Sequence, residues 1–243
     1  MASFSNICRL NFVLTFCNIY HFRSEMAAAG RTFAPDAAHG GEDIQPDTTA
    51  LVMIEFQNEF TTEGGKLHEG VKGVMEETGM LEKAVEVCAF ARNKGMKVFH
   101  VPICFKKDMS DNPNKGLGIL KGCADSELFL ADTWHSQICD QMTPVEGDLV
   151  VSGKRGLDAF PGTDLEELLV KHGITTVVLG GFLTNCCVES TMRTAYEKGF
   201  NVITLTDCCA SNSSEGQAAA TKGTFGMFSK PMTKDEFLGA FEK

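Results

Sequence analysis

Apolar runs that predict buried strands alternate with amphipathic runs that predict helices along most of the chain. The strand-like runs begin at Thr49, Met96, Asp148, Thr175 and Asn201. Between them lie runs with apolar residues at helical spacing, MLEKAVEVCAFARNKG, DLEELLVKHG and VESTMRTAYEKG, each ending in a glycine that suits a helix C-terminus. The pattern therefore predicts repeated strand and helix units.

Strands that are apolar at nearly every position indicate a parallel sheet with helices covering both faces. We predict an α/β fold: a three-layer sandwich around a doubly wound, mostly parallel, Rossmann-like sheet. Right-handed crossovers place the loops that follow the strands at one edge of such a sheet, so we expect the functional site at that edge.

The predicted organisation is an N-terminal extension, residues 1–48, followed by one domain, residues 49–243. The first 25 residues contain only a short apolar stretch, which cannot span a membrane, so they could be a targeting peptide, a leader or an unstructured extension. Residues 30–48 are rich in Gly, Pro, Ala and Asp and predict an irregular lead-in. The polar segment from Cys104 to Thr133 predicts a loop that covers the domain.

Composition and charge narrow the classes of partner. A chain of 243 residues that is 43% hydrophobic fits one globular domain with a sizeable core. Its formal net charge of -10 argues against nucleic acid and anionic membranes as partners, because both require clustered Lys and Arg. We expect a small-molecule partner.

The ten cysteines show no spacing typical of a disulfide framework or a zinc site. The close pairs, Cys186–Cys187 and Cys208–Cys209, are adjacent in sequence, which makes a direct bridge sterically unfavourable. Reduced thiols favour an intracellular, cytoplasmic protein. Import into an organelle stays open if residues 1–25 are a targeting peptide.

Three predicted strand ends carry groups suited to covalent catalysis: Glu55, Lys154, and the adjacent Cys186 and Cys187. A nearby ammonium and a helix N-terminus favour a thiolate, so we expect the pKa of the reactive thiol to lie below its model value of about 8.5. A carboxylate can take the thiol proton and later protonate a leaving amine. Structural alternatives are a small buried cysteine, a solvated Lys154–Arg155 pair and a helix cap at Glu55.

The motifs at these strand ends resemble those of the isochorismatase-like cysteine hydrolases, which include nicotinamidases, N-carbamoylsarcosine amidase and ureidoacrylate amidohydrolases. The resemblance runs from about Thr49 to Ala210 through LVMIEFQNEF, DLVVSGKRGLDAFPGTDLEELLVKHGI and VVLGGFLTNCCVESTMRTAYEKGF. The last motif is the most specific. Its family pattern falls on Gly181, Thr184, Cys187 and Val188.

The resemblance implies an isochorismatase-like hydrolase domain with a catalytic triad of Glu55, Lys154 and Cys187. The first residue is a departure, since the family usually has Asp there, and the extra methylene displaces the carboxylate by about one bond length. The resemblance also implies a non-proline cis peptide bond at Phe182–Leu183. This bond would let the backbone N–H groups of Leu183 and Cys187 form an oxyanion hole.

Substrate contacts are less well defined by the sequence. Phe60, Trp134 and Phe182 are candidates for the pocket wall, although core or interface roles are alternatives. Some nicotinamidases of the family hold a metal through an Asp and two His residues after the first motif. The corresponding TTEGGKLHEGVKG keeps only His68, so we expect neither a metal nor another cofactor.

The leading hypothesis is an amidohydrolase that cleaves a small amide or ureido C–N bond through a thioester. Alternatives are ether hydrolysis of the isochorismatase type, which requires the acid but not the thiol, and a scaffold or thiol sensor that has lost catalysis. The resemblance further implies a homo-oligomer, with residues 106–134 as a plausible contact.

Overall fold

The structure is a computed structural model that describes residues 44–242. Its centre is one sheet of six strands, and every neighbouring pair in that sheet is parallel. The spatial order is β3-β2-β1-β4-β5-β6. The strands are β1 (Thr49–Ile54), β2 (Lys97–Val101), β3 (Leu149–Val150), β4 (Thr176–Phe182), β5 (Asn201–Ala210) and β6 (Lys230–Met232).

Helices fill most of the connections between the strands. In the described part of the chain they are α1 (Asn58–Thr61), α2 (His68–Thr78), α3 (Met80–Asn93), α4 (Gly118–Asp125), α5 (Leu165–Lys171), α6 (Glu189–Glu197), α7 (Ser214–Ala219), α8 (Phe225–Phe228) and α9 (Lys234–Gly239). Two wider π-type turns, Thr184–Val188 and Ala220–Thr224, precede α6 and α8.

The residues of β1 explain why both faces of the sheet are covered. All six are buried, with Leu51 and Met53 in the core shared with α2, α3 and α9. Ala50, Val52 and Ile54 belong to the core shared with α5, α6 and α8. Side chains on a strand alternate between faces, so a strand that is buried at every position requires a covering layer on each side. The predicted three-layer α/β fold is confirmed.

Two parts of the observed fold differ from the predicted pattern. The segment from Cys104 to Thr133 contains the helix α4 rather than only loop, and the last strand, Lys230–Met232, was not predicted. Both elements are short, with eight residues in α4 and three in β6. None of the helices in residues 44–242 is long and apolar enough to cross a membrane. The predicted extension lies outside the described residues up to position 43.

Candidate active site

The candidate site lies where the strand order reverses, between the neighbouring strands β1 and β4. From β1 the chain continues to β2 on one side, whereas β4 leads to β5 on the other. In doubly wound sheets this arrangement leaves a crevice beyond the carboxyl ends of the two strands. Glu55 directly follows β1, and Cys187 lies in the turn after β4, so the two residues meet at this crevice.

Glu55 and Lys154 form an ion pair at the floor of the crevice. The side chains are 2% and 0% exposed, and the Lys154 Nζ donates hydrogen bonds to the Glu55 carboxylate and to the carbonyl oxygen of Gly156. Cys187 lines the same cavity as Glu55, and its thiol lowers the pKa of that carboxyl group. Burying two charges is unfavourable unless they are paired and hydrogen-bonded, as they are here.

Lys154 reaches the floor because the chain turns inward just before it. Gly153 has a φ of +90°, and a Cβ atom there would lie 2.4 Å from the carbonyl oxygen of Gly162. No other residue fits such a position without displacing the backbone. Gly153 therefore allows the backbone to bring Lys154 to the ion pair from the end of β3, which lies on the far side of β2 from β1.

Glu55 itself has an unusual backbone conformation, with a φ of +59°. Its N–H donates to the carbonyl oxygen of Val101, and its own carbonyl accepts from the N–H of Gln57 at 2.7 Å. The left-handed region is uncommon for residues other than glycine, and Asp and Asn occupy it more readily than most. The position thus holds an acid despite a backbone conformation that is unfavourable for Glu.

Cys187 lies in the turn that connects β4 to α6 and is 4% exposed. Its carbonyl oxygen accepts a hydrogen bond from the Thr191 hydroxyl at 2.7 Å, one helical turn onward. The start of the turn is fixed by Thr184, whose hydroxyl donates to Gln217 at 2.6 Å. The Gln217 amide in turn donates to the carbonyl of Cys209 on β5. The turn that carries Cys187 is therefore tied to both its helix and the adjacent strand.

The peptide bond between Phe182 and Leu183 is cis, as the family resemblance implied. Just before it, Gly181 has a φ of +131°, and a Cβ atom there would lie 2.0 Å from the carbonyl oxygen of Ile54. Leu183 and Cys187 both line the cavity in front of this bond. The close contact between β4 and β1 thus requires glycine immediately before the turn.

The surroundings of Cys187 raise, and do not lower, the pKa of its thiol. The hydrogen bond with Cys186, burial and the negative charge of Glu55 together outweigh the attraction of Lys154, so the pKa lies well above its ordinary value. The expectation of a thiolate with a lowered pKa was wrong. That expectation considered the positive charge of Lys154 but neither the negative charge of Glu55 nor the exclusion of water from the site.

The pKa of Glu55 is also raised. Burial is the largest cause, and the attraction and hydrogen bond of Lys154 and the hydrogen bond from Cys187 offset only part of it. For Lys154, burial alone lowers the pKa, but the charges of Glu55 and Cys187 and the hydrogen bond outweigh it, so the pKa of the ammonium is raised. A carboxylate with a raised pKa is better matched to moving a proton near neutral pH.

A cavity of about 410 Å³ opens above the three side chains. Phe60 lines it as expected, whereas Phe182 does not: its side chain is fully buried, and its ring stacks on that of Phe60 with 4.9 Å between the centroids. Trp134 differs from the expectation: it does not line this cavity, is 43% exposed and packs its ring against His135. The segment of residues 104–136, called the cover below, reaches the cavity through Leu128 and Phe129 instead.

Three polar residues of the motif EFQNEF position the cover, and sequence reasoning missed them. The Gln57 amide donates to the carbonyl oxygen of Ser136 at 2.7 Å, and that of Asn58 donates to the carbonyl oxygen of Trp134 at 3.0 Å. The carboxylate of Glu59, which is fully buried, accepts from the backbone N–H of Phe129 at 3.2 Å. A polar run directly after a buried strand was the signal that could have indicated them.

The other polar candidates have structural partners. His68 is buried, and its Nδ1 donates to the carbonyl oxygen of Phe60 at 2.9 Å. Within residues 44–242 no three His, Cys, Asp or Glu side chains are grouped so as to hold a metal ion. The eight cysteines of the same range are free thiols, and Cys208 and Cys209 are fully buried.

The sequence is similar to those of known proteins. The model of the isochorismatase domain matches residues 49–236. The ureidoacrylate amidohydrolase RutB of Methylorubrum extorquens is 30% identical over 172 residues, which cover 66% of this chain and 69% of that protein.

Solved structures share the fold. A cysteine hydrolase from Pseudomonas syringae pv. phaseolicola has a TM-score of 0.72 at 21% identity, covering 82% of this chain and 94% of that one. The N-carbamoylsarcosine amidase from Thermoplasma acidophilum has a TM-score of 0.63 at 25% identity, covering 78% of this chain and 98% of that one.

Proposed function

The chain belongs to the isochorismatase family, and from this premise we propose that it hydrolyses the C–N bond of a small amide or ureide through a thioester on Cys187. One observation carries the proposal: Glu55 is paired with a buried Lys154 and lines the same cavity as Cys187. The names of the relatives support the reaction class, since RutB is described as a ureidoacrylate amidohydrolase and the Thermoplasma protein as an N-carbamoylsarcosine amidase.

The raised pKa of Cys187 means that the resting nucleophile is a thiol rather than a thiolate. As its Sγ attacks the carbonyl carbon, the thiol proton passes to the Glu55 carboxylate. The backbone N–H groups of Leu183 and Cys187 stabilise the oxyanion. Lys154 stays protonated and keeps Glu55 oriented.

The tetrahedral intermediate collapses when Glu55 returns the proton to the leaving nitrogen. The C–N bond breaks, ammonia or an amine departs, and the acyl group remains as a thioester on Cys187. Water then attacks the thioester while Glu55 accepts its proton, and the carboxylic product leaves as the thiol re-forms. The same carboxylate thus serves as base and acid in both half-reactions.

Ammonia release from a panel of small primary amides and monosubstituted ureas tests the proposal. Adding hydroxylamine should divert the acyl group to a hydroxamate, since hydroxylamine competes with water for a thioester. Cys187→Ala should abolish both products, and Cys186→Ala is the matched control that should retain them. Ammonia release that is unchanged in Cys187→Ala would overturn the mechanism, and no turnover of any amide would favour a scaffold that has lost catalysis.

A further inference from the structure

The walls of the cavity above Cys187 are almost entirely apolar. Side chains of the cover and of α2 supply most of them, including Val71, Leu120, Leu128 and Phe129, which are all buried. Among the residues that line the cavity, Glu55 is the one with a charged side chain. The polar side chains Ser126 and Asn212 are neutral and exposed, which places them at the rim.

Lys154 and Lys66 lie near this cavity, and the ammonium groups of both are already bound to other groups. The ammonium of Lys154 is fully buried and donates to Glu55 and to the carbonyl oxygen of Gly156. The ammonium of Lys66 donates to the carbonyl oxygens of Ser126 and Glu127, on the outside of the cover. Neither lysine lines the cavity, so neither offers its charge to a molecule bound inside.

A substrate that carries a carboxylate would therefore lose its hydration without gaining a partner, and it would lie in the field of Glu55. Ureidoacrylate and N-carbamoylsarcosine, named for two relatives, both carry one. We propose, on the basis of the proposed hydrolase function, that this chain selects amides or ureides whose non-reacting part is an uncharged hydrocarbon group. The volume of about 410 Å³ suits a small ligand of this kind.

Matched pairs of compounds with the same shape and different charge test this selectivity. We would compare 4-methylpentanamide with succinamate, and 3-methylbutylurea with 3-ureidopropionate. In each pair an isopropyl group replaces a carboxylate of similar size. The expected kcat/KM for ammonia release is roughly 100-fold or more higher for the neutral member, because an unpaired carboxylate is costly to bury.

A variant at the rim can supply the missing cation. Ile119 lines the cavity and is 47% exposed, so it tolerates a polar side chain. In Ile119→Arg the guanidinium can pair with the carboxylate of succinamate, and the preference for the neutral amide should fall roughly tenfold. Ile119→Gln is the matched control of similar polarity without charge, and its preference should remain close to that of the parent.

Binding to Cys187→Ser, measured by calorimetry, separates the two proposals. If neither member of a pair is hydrolysed by the parent, the proposed hydrolase function fails. The selectivity is then judged from binding alone. Tighter binding of the neutral member, lost in Ile119→Arg, supports the inference. Equal or tighter binding of the carboxylate, or a higher kcat/KM for it in the parent enzyme, would overturn the inference and leave the hydrolase mechanism standing.

Discussion

The most demanding prediction concerns the Glu55–Lys154 pair, because a substitution in this pair should change both catalysis and stability. Glu55→Gln keeps the shape of the side chain but cannot carry a proton, so kcat/KM should fall by roughly two to four orders of magnitude. The same change leaves an ammonium that is 0% exposed without the negative charge that neutralises it. Removing one member of a buried ion pair costs about 3–5 kcal/mol of unfolding free energy.

A double variant distinguishes lost chemistry from lost folding. In Glu55→Gln/Lys154→Met neither charge remains, so the unfolding free energy should return to within about 1–2 kcal/mol of the parent, while activity stays absent. Urea unfolding followed by circular dichroism gives the stability, and ammonia release gives the activity. If Glu55→Gln kept the stability and activity of the parent, the buried pair would not be the proton-transfer group, and the mechanism would be refuted.

Glu55→Asp probes the departure from the family residue. The φ of +59° favours Asp over Glu, so stability should change little or rise by a few tenths of a kcal/mol. The carboxylate, however, retreats by about 1.5 Å from both Lys154 and Cys187, and partial activity is expected. Because burial raises the pKa of Glu55, the acid limb of kcat/KM in the parent should have its midpoint above pH 4.5. A midpoint below that value would contradict the assignment of Glu55 as the base.

Further predictions concern the nucleophile, the sheet and the assembly. Cys187→Ala should abolish hydrolysis without loss of folding, whereas Cys186→Ala should remain active. The reverse result would identify Cys186 rather than Cys187 as the nucleophile. Alkylation of Cys187 by iodoacetamide should accelerate as pH rises beyond 9, since its pKa is raised, and a plateau below pH 8 would contradict this. Gly181→Ala should destabilise the fold by about 2–5 kcal/mol in urea unfolding, because its Cβ would meet the Ile54 carbonyl at 2.0 Å. Light scattering should find a dimer or larger assembly that uses residues 106–134, and an active monomer would exclude this.

The sequence was informative where function depends on strand ends. Glu55 and Cys187 follow apolar runs that form buried strands, and Lys154 follows the short edge strand β3. Parallel strands end at one edge of a sheet, so the convergence of these residues was predictable. The protonation state of the thiol was not predictable in the same way. It depends on the hydrogen bond with Cys186, on the burial of Cys187 and on the opposing charges of Glu55 and Lys154, and the spacing of the motifs specifies none of these.

The cavity wall was harder to predict for a related reason. Its chemistry comes from the cover, whose position is fixed by hydrogen bonds from Gln57, Asn58 and Glu59 to backbone groups about 70 to 80 residues further along the chain. Because these hydrogen bonds are made to backbone groups of the cover, they do not restrict which side chains the cover carries. Substitutions in the cover can therefore change the side chains of the cavity wall, while Glu55, only two residues before Gln57, stays beside Lys154. The cavity wall and the Glu55–Lys154 pair thus vary independently, so in the proposed mechanism the same pair can act on substrates of different charge. For this reason a motif that specifies the reaction does not specify the substrate.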